Sequence, residues 1–191
     1  MIPDKGYPVH QDLIERCIKG DRMAHKELYR LYYKAMYNTC FRMLNDQAEA
    51  EDVMQESFLA AFTRISTYRG EMSFGSWLKR IVINKSIDVL RARKIRFEEL
   101  NEKSVNLATP DNYDAGIESD HAAMVEKIRE AVKKLPDGFR VVLTLSLFEG
   151  FDHEEIASIL QISESTSRSQ LARAKKKLID YLKSNQNEDY R

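Results

Sequence analysis

The stretch that most constrains this 191-residue chain lies between residues 97 and 121. It contains seven acidic residues, one basic residue, Pro110 and Gly116, and its apolar residues follow no helical period. A segment of this composition buries too little apolar surface to form a packed element, and it is typical of a linker. The sequence therefore predicts two domains, residues 1–96 and 122–184, joined by an acidic flexible linker at 97–121 and followed by a tail at 185–191.

Both domains are predicted to be helical. Seven Gly and four Pro are about half the usual share, which favours long helices over a turn-rich β protein. The apolar spacing predicts four helices in the first domain, at 10–19, 22–44, 46–65 and 77–94, the second and fourth capped by Asp21 and Ser76. The second helix should turn inward Ala24, Leu28, Leu31, Ala35 and Leu44. In the second domain 122–135 is a helix, and the run VVLTLSLF is interpreted as a helix too, because a single strand would have no partner. The predicted fold class is all-α.

Charge is distributed unevenly along the chain, although 30 basic and 30 acidic residues leave no net charge. Residues 76–96 carry a net charge of +6 and residues 163–183 a net +4, whereas residues 41–56 carry a net −4. This pattern excludes a uniformly basic coat and indicates two basic helices. Cys17 and Cys40 have no CxxC partner and are expected to be reduced core residues. Without a long apolar run or a signal-peptide pattern, the expected location is cytoplasmic, with no membrane insertion.

The clearest local pattern is a pair of helices that starts after Asp152. Asp152 and Glu155 have the spacing of a capping box, and Ser163 can cap the next helix after a short turn, which is helix-turn-helix spacing. The outer face of that second helix carries small and cationic residues, namely Ser165, Arg168, Ser169, Ala172, Arg173 and Lys176. Such a face suits insertion into a DNA major groove. The alternative is an ordinary solvated helix, whose outer face would mix the two signs of charge more evenly.

The fourth helix has a different polar stripe. At 100° per residue, one side of this helix carries Trp77, Arg80, Asn84, Asp88 and Arg91, and the loop before it adds Tyr68, Arg69 and Phe74. Aromatic rings interleaved with cations suit unpaired bases, which stack on the rings while the cations neutralise phosphates. The alternative is that Trp77 and Phe74 simply close the core of the domain.

The third helix has an outer face on which Asp52, Gln55 and Glu56 surround an apolar Leu59. A single exposed leucine is normal in a soluble protein, but this one is also a plausible docking point for a basic, partly apolar partner surface. Enzyme motifs are absent from the sequence: His153 has no second histidine in HExxH spacing, and there is no glycine-rich phosphate loop. No catalytic, cofactor-binding or metal-binding residues are predicted, and the chain is not expected to be an enzyme.

Three stretches together match one family. These are AEAEDVMQESFLAAF, YRGEMSFGSWLKRIVINKSIDVLRARK and LPDGFRVVLTLSLFEGFDHEEIASILQISESTSRSQLARAKKKL. In this order and spacing they resemble the signature stretches of extracytoplasmic-function (ECF) sigma factors, the two-domain members of the sigma-70 family. The resemblance covers roughly residues 10–183 and implies a promoter-specificity subunit of bacterial RNA polymerase, whose expected partners are the polymerase core, promoter DNA and an anti-sigma factor.

The resemblance also implies roles for the three surfaces. The acidic face with Asp52, Gln55, Glu56 and Leu59 would dock on the clamp helices of the largest polymerase subunit. The unpaired strand of the −10 element would be bound by Tyr68, Arg69, Phe74, Trp77, Arg80, Asn84, Asp88 and Arg91, with Asn84 contacting a base. The −35 element, as duplex, would be contacted by Ser165, Thr166, Arg168, Ser169, Ala172, Arg173 and Lys176.

The chain departs from the family pattern at three positions of the helix-turn-helix. Gln161 stands where the family often has Gly, so strain is expected in that turn, Ser167 replaces a frequent apolar residue, and Gln170 replaces a frequent base. Two alternatives to a sigma factor remain at this point. One is a helix-turn-helix regulator that binds duplex DNA alone, and the other is a nucleic-acid enzyme such as a recombinase.

Overall fold

A computed structural model of the chain describes residues 9–93 and 121–188, and these form two separate units. All regular secondary structure in those two ranges is helical, as the sequence predicts. The predicted linker lies outside the described residues except for its last residue, His121, and so do the ends of the predicted tail and of the first domain.

The first unit contains four α-helices, α1 (Gln11–Ile18), α2 (Arg22–Leu44), α3 (Gln47–Thr63) and α4 (Phe74–Ala92), with a 3-10 turn at Ile65–Thr67. Helices α2 and α3 each begin after an aspartate whose side chain caps the helix. Asp21 accepts hydrogen bonds from backbone N–H groups in the first turn of α2, and Asp46 accepts one from the first turn of α3. The cap of α4 was wrongly predicted. It is Ser73, whose hydroxyl oxygen accepts the backbone N–H of Ser76 at 3.1 Å, so that Ser76 lies inside the helix.

The core of the first unit forms where α2, α3 and α4 pack against one another. Its buried side chains include Leu28 and Met43 of α2, Phe58 of α3, and Leu78 and Ile83 of α4, all at most 2 % exposed. Cys17 and Cys40 are buried and reduced, as predicted, and burial raises the pKa of the Cys17 thiol to about 11.

Two predicted core positions of α2 are wrong, because Leu31 is 49 % exposed and Ala35 is exposed as well. The buried face of α2 runs through Leu28, Met36 and Met43. At 100° per residue, positions 31 and 35 lie on the same side of α2 as the buried Ala24 and Leu28, so this side is covered only along the first part of the helix.

The second unit contains α5 (His121–Lys133), α6 (Asp137–Leu143), a π-helical turn (Thr144–Phe148), α7 (His153–Leu160) and α8 (Glu164–Glu188). The run VVLTLSLF is helical, as predicted, and it spans α6 and the π-helical turn. The capping box is confirmed: Asp152 accepts the N–H of Glu155 at 2.8 Å, and the Glu155 carboxylate accepts the N–H of Asp152 at 3.1 Å. Ser163 caps α8 by accepting the N–H of Thr166 at 3.0 Å. Helix α8 packs against α5, α6 and α7.

The turn between α7 and α8 contains a strained residue, as the sequence predicts. Gln161 has φ 60° and ψ 45°, the left-handed conformation that glycine adopts without steric penalty. Gly150, which precedes α7, has a φ of 77° and open space around its Cα.

We therefore predict that Gln161→Gly raises the free energy of unfolding by about 1 kcal/mol, because it relieves the left-handed strain. Chemical denaturation of the full chain, followed by circular dichroism, measures this change. The matched control is Gly150→Ala, which introduces the same kind of strain without a clash and should lower stability. A lower stability for Gln161→Gly would show that the turn is not strained.

Candidate nucleic-acid interface

Helix α4 has two faces of opposite character. Leu78, Val82, Ile83, Ile87 and Leu90 are buried in the core of the first unit. On the opposite face the predicted stripe is exposed at four of its positions, Arg80, Asn84, Asp88 and Arg91. The same packing that fixes the helix on α2 and α3 therefore presents guanidinium, amide and carboxylate groups to solvent along one line.

At the start of α4, four aromatic rings form a cluster. The ring of Phe74 lies 5.4 Å from Tyr32, 5.8 Å from Tyr68 and 5.7 Å from Trp77, measured between centroids. Phe74 is only 1 % exposed, which leaves little of its ring accessible for the predicted DNA contact. As the first residue of α4 it closes the core against Tyr32, which was the alternative interpretation of this residue. Trp77 is half-buried and leaves part of its indole ring accessible.

The loop before α4 is held by its own hydrogen bonds. Tyr68 donates from its hydroxyl to the carbonyl oxygen of Met72 at 2.6 Å, and Gly70 supplies the positive φ of 73° that the turn requires. The Tyr68 ring is half-buried, which raises the pKa of its hydroxyl, and it lies 5.5 Å from the Trp77 ring. Arg69 is exposed beside it. Two partly accessible rings and a cation are thus fixed next to the first turn of α4.

The outer face of α3 is acidic, with one apolar residue. Asp52, Gln55 and Glu56 are exposed and Leu59 is 69 % exposed, while the opposite face is buried through Val53, Met54, Phe58 and Ala61. The carboxylate of Glu56 accepts a hydrogen bond from the ammonium group of Lys85 on α4 at 2.9 Å. The α3 face is therefore connected to the helix that carries the polar stripe.

Sequence patterns miss two contacts that join α4 to its neighbours. One is the Glu56–Lys85 ion pair. The other is the hydrogen bond that the Arg93 guanidinium group donates to the Leu44 carbonyl oxygen at 3.2 Å, beside the ion pair of Arg93 with Glu49. The partners are separated by 29 to 49 residues along the chain, so helical periodicity carries no signal for either contact.

In the second unit, α8 places the predicted residues outward to different degrees. Ser165, Arg168 and Lys176 are exposed, whereas the half-buried residues are Thr166, Ser169, Ala172 and Arg173. Several of these side chains are already engaged: Thr166 shares a hydrogen bond with the Ser163 hydroxyl at 2.8 Å, the Ser169 hydroxyl donates to the Thr166 carbonyl oxygen at 3.0 Å, and Arg168 pairs with Glu164 at 2.6 Å. Ser167 and Gln170, two of the three departures from the family pattern, are buried on the inner face.

The described residues hold no group of three or more His, Cys, Asp or Glu side chains that could bind a metal ion. In the same ranges, no helix combines the length and the hydropathy needed to span a membrane.

Comparisons with known proteins match the chain to one family. The family model for sigma-70 region 2 matches residues 28–95, and a model for sigma-70 region 4 matches residues 125–178. The RNA polymerase sigma-H factor of Pseudomonas aeruginosa is 33% identical over 172 residues, which cover 86% of this chain and 89% of that protein. The ECF RNA polymerase sigma factor SigW of Bacillus subtilis is 29% identical, over 86% of this chain and 92% of its own length.

Two solved structures share the fold. A structure of CnrH in complex with the cytosolic domain of CnrY matches with a TM-score of 0.54 and 23% identity, over 91% of this chain and 96% of that one. A structure of RpoE in complex with the anti-sigma factor NepR from Bartonella quintana matches with a TM-score of 0.55 and 21% identity, over 83% of this chain and 96% of that one.

The two all-helical units, together with these matches, define a transcription initiation factor of RNA polymerase. The chain belongs to the sigma-70 family, in which it is a sigma factor of the ECF type. A stand-alone helix-turn-helix regulator is not favoured, because the match to region 2 covers most of the first unit.

Proposed function

We propose that the chain directs the polymerase core to specific promoters in the cytoplasm and helps to open them, acting by binding and not as an enzyme. The observation that carries this proposal is helix α4, which buries one face in the core and exposes Arg80, Asn84 and Arg91 beside the half-buried Trp77. A protein that binds only duplex DNA has no use for accessible rings on which bases can stack, whereas unpaired bases stack on such rings.

For the −10 element, the proposed contacts are those of the predicted set without Phe74, namely Tyr68, Arg69, Trp77, Arg80, Asn84, Asp88 and Arg91. The rings of Tyr68 and Trp77 lie at the start of α4, and the cations continue along its exposed face. The unpaired strand would lie with its bases toward the rings and Asn84 and its phosphates toward the guanidinium groups.

We predict that the holoenzyme with Trp77→Ala binds promoter DNA but opens it poorly, because stacking on such a ring contributes about 1 to 3 kcal/mol per base. Permanganate reactivity of unpaired thymines measures opening. A template with a pre-melted −10 bubble should restore part of the initiation, and Trp77→Phe, which keeps a ring, should retain most of it. Asn84→Ala should lose discrimination among −10 bases even on the bubble. Normal permanganate reactivity for Trp77→Ala on duplex DNA would assign Trp77 to the core alone.

For the polymerase core, we propose that the acidic face of α3 docks on the clamp helices of the largest subunit. Leu59 supplies an exposed apolar contact, and Asp52 and Gln55 lie in the same exposed face. Glu56 also belongs to this face, but its ion pair with Lys85 gives it a role inside the unit as well. Asp52 and Gln55 therefore provide the cleaner test.

We predict that Asp52→Arg combined with Gln55→Ala weakens binding to the polymerase core about tenfold or more, because it reverses charge at the docking face. Titration of labelled sigma factor with core polymerase measures the affinity. The matched control is Glu27→Arg, an equal charge reversal on an exposed position of α2. Equal binding by the double variant and the wild type would contradict the assignment of this face.

For the −35 element, we propose that α8 enters the major groove of duplex DNA with Ser165, Thr166, Arg168, Ser169, Ala172, Arg173 and Lys176 toward it. The outward residues are small or cationic, which allows the helix to approach the base edges closely. Arg168 is paired with Glu164 in the free protein, so DNA has to compete with this exposed ion pair or share it.

We predict that Arg168→Ala and Arg173→Ala each cost about 1 to 3 kcal/mol of binding if they contact bases, with the loss confined to particular −35 positions. Competition binding of the holoenzyme to single-base variants of the promoter measures this loss. An equal loss on every sequence, with a salt dependence reduced by about one ion, would instead identify phosphate contacts.

We further propose that an anti-sigma factor regulates the chain. The two solved structures compared above are complexes, and that of RpoE contains the anti-sigma factor NepR.

A further inference from the structure

One side-chain hydrogen bond joins the two helices of the helix-turn-helix. The Nδ1 atom of His153 lies 2.9 Å from the hydroxyl oxygen of Ser167, 14 residues further along the chain. His153 is the first residue of α7 and is half-buried, while Ser167 lies in the first turns of α8 and is fully buried. The bond therefore spans the interface between the helix-turn-helix pair.

Other buried serines of this chain are satisfied differently. Ser57 donates to the Val53 carbonyl oxygen at 2.6 Å, and Ser86 donates to the Val82 carbonyl oxygen at 2.9 Å, in both cases four residues back in the same helix. Ser167 instead has its side-chain partner on the facing helix. Its hydroxyl group is thus used between helices.

A hydrogen bond constrains the two helices more than an apolar contact would. The rest of the interface is formed by Ile156, Ala157 and Leu160 of α7 and by Leu171 and Ala174 of α8, and this apolar packing holds the two helices together. The hydrogen bond, in contrast, weakens steeply with small changes in distance and angle. It therefore adds to the apolar packing a directional constraint on how far α8 is rotated relative to α7.

The rotation of α8 sets the direction of the residues proposed to contact DNA. Arg168 and Ser169 are the next two residues after Ser167, so any rotation of α8 moves both side chains. We propose that His153 and Ser167 are positioning residues, whose hydrogen bond presents α8 to the −35 element at the angle needed for base contacts. This inference rests on the function proposed for α8, and it assigns no DNA contact to either residue.

The test uses the full chain in the holoenzyme, on a promoter mapped with the wild-type protein. The readout is the ratio of affinities for that promoter and for a copy with a scrambled −35 element. Ser167→Ala and His153→Gln should each lower this ratio about fivefold, since a hydrogen bond of this kind contributes a factor of roughly 2 to 12. The double variant should be no worse than either single variant, because both remove the same bond.

The matched control is His153→Asn. The side-chain amide of Asn reaches the position of Nδ1, whereas that of Gln reaches the position of Nε2, so Asn should retain the wild-type ratio and Gln should not. Affinity for the scrambled DNA should stay unchanged in all variants, since phosphate contacts dominate it. A general loss of folding would lower the affinities for both DNAs together. His153 lies at the start of a helix and is only half-buried, so His153→Gln tests the inference with little effect on the core.

Two results would overturn the inference. One is a wild-type ratio in both Ser167→Ala and His153→Gln, and the other is an equal loss on the two DNAs. If the wild-type holoenzyme itself binds both DNAs equally, the function proposed for α8 fails, and this inference fails with it. If the wild type and the variants discriminate equally between the two DNAs, only the positioning role is overturned.

Discussion

The packing of one face of α4 against α2 and α3 is the constraint on which the account of the first unit depends. Burial of Leu78, Ile83 and Leu90 fixes the rotation of this helix, and that rotation determines that Arg80 and Asn84 face solvent. Full burial of an aliphatic side chain contributes about 1.5 to 3 kcal/mol, several times more than an exposed ion pair. The hydrophobic face therefore controls the orientation of the polar stripe.

Ion pairs add direction to this packing rather than most of its energy. The Glu56–Lys85 pair connects the proposed docking face on α3 with α4, and Arg93 connects the end of α4 with the end of α2. In the second unit, caps at Asp152 and Ser163 define where α7 and α8 begin, and the left-handed Gln161 sets the turn between them. In each unit, apolar burial holds a helix whose opposite face is wholly or partly exposed.

Local signals in the sequence predict most of the helices, because a cap and its donor lie only two or three residues apart. Asp21, Asp152 and Glu155 are of this kind. The capping pattern gives the wrong start for α4, because both Ser73 and Ser76 can cap a helix. Which of the two serines is the cap depends on the burial of Phe74 against Tyr32, a residue of another helix. Contacts such as Glu56–Lys85 and His153–Ser167 depend on how helices pack, so no periodicity along the chain reveals them.

The central claim is that this chain gives the polymerase core its promoter specificity, and mapping the 5′ ends of transcripts made by purified core with and without it tests that claim most directly. The account predicts new start sites only when the chain is present, each preceded by two shared elements about two turns of DNA apart. If no new start sites arise, and the chain alone retards duplex DNA without any polymerase, the account is contradicted.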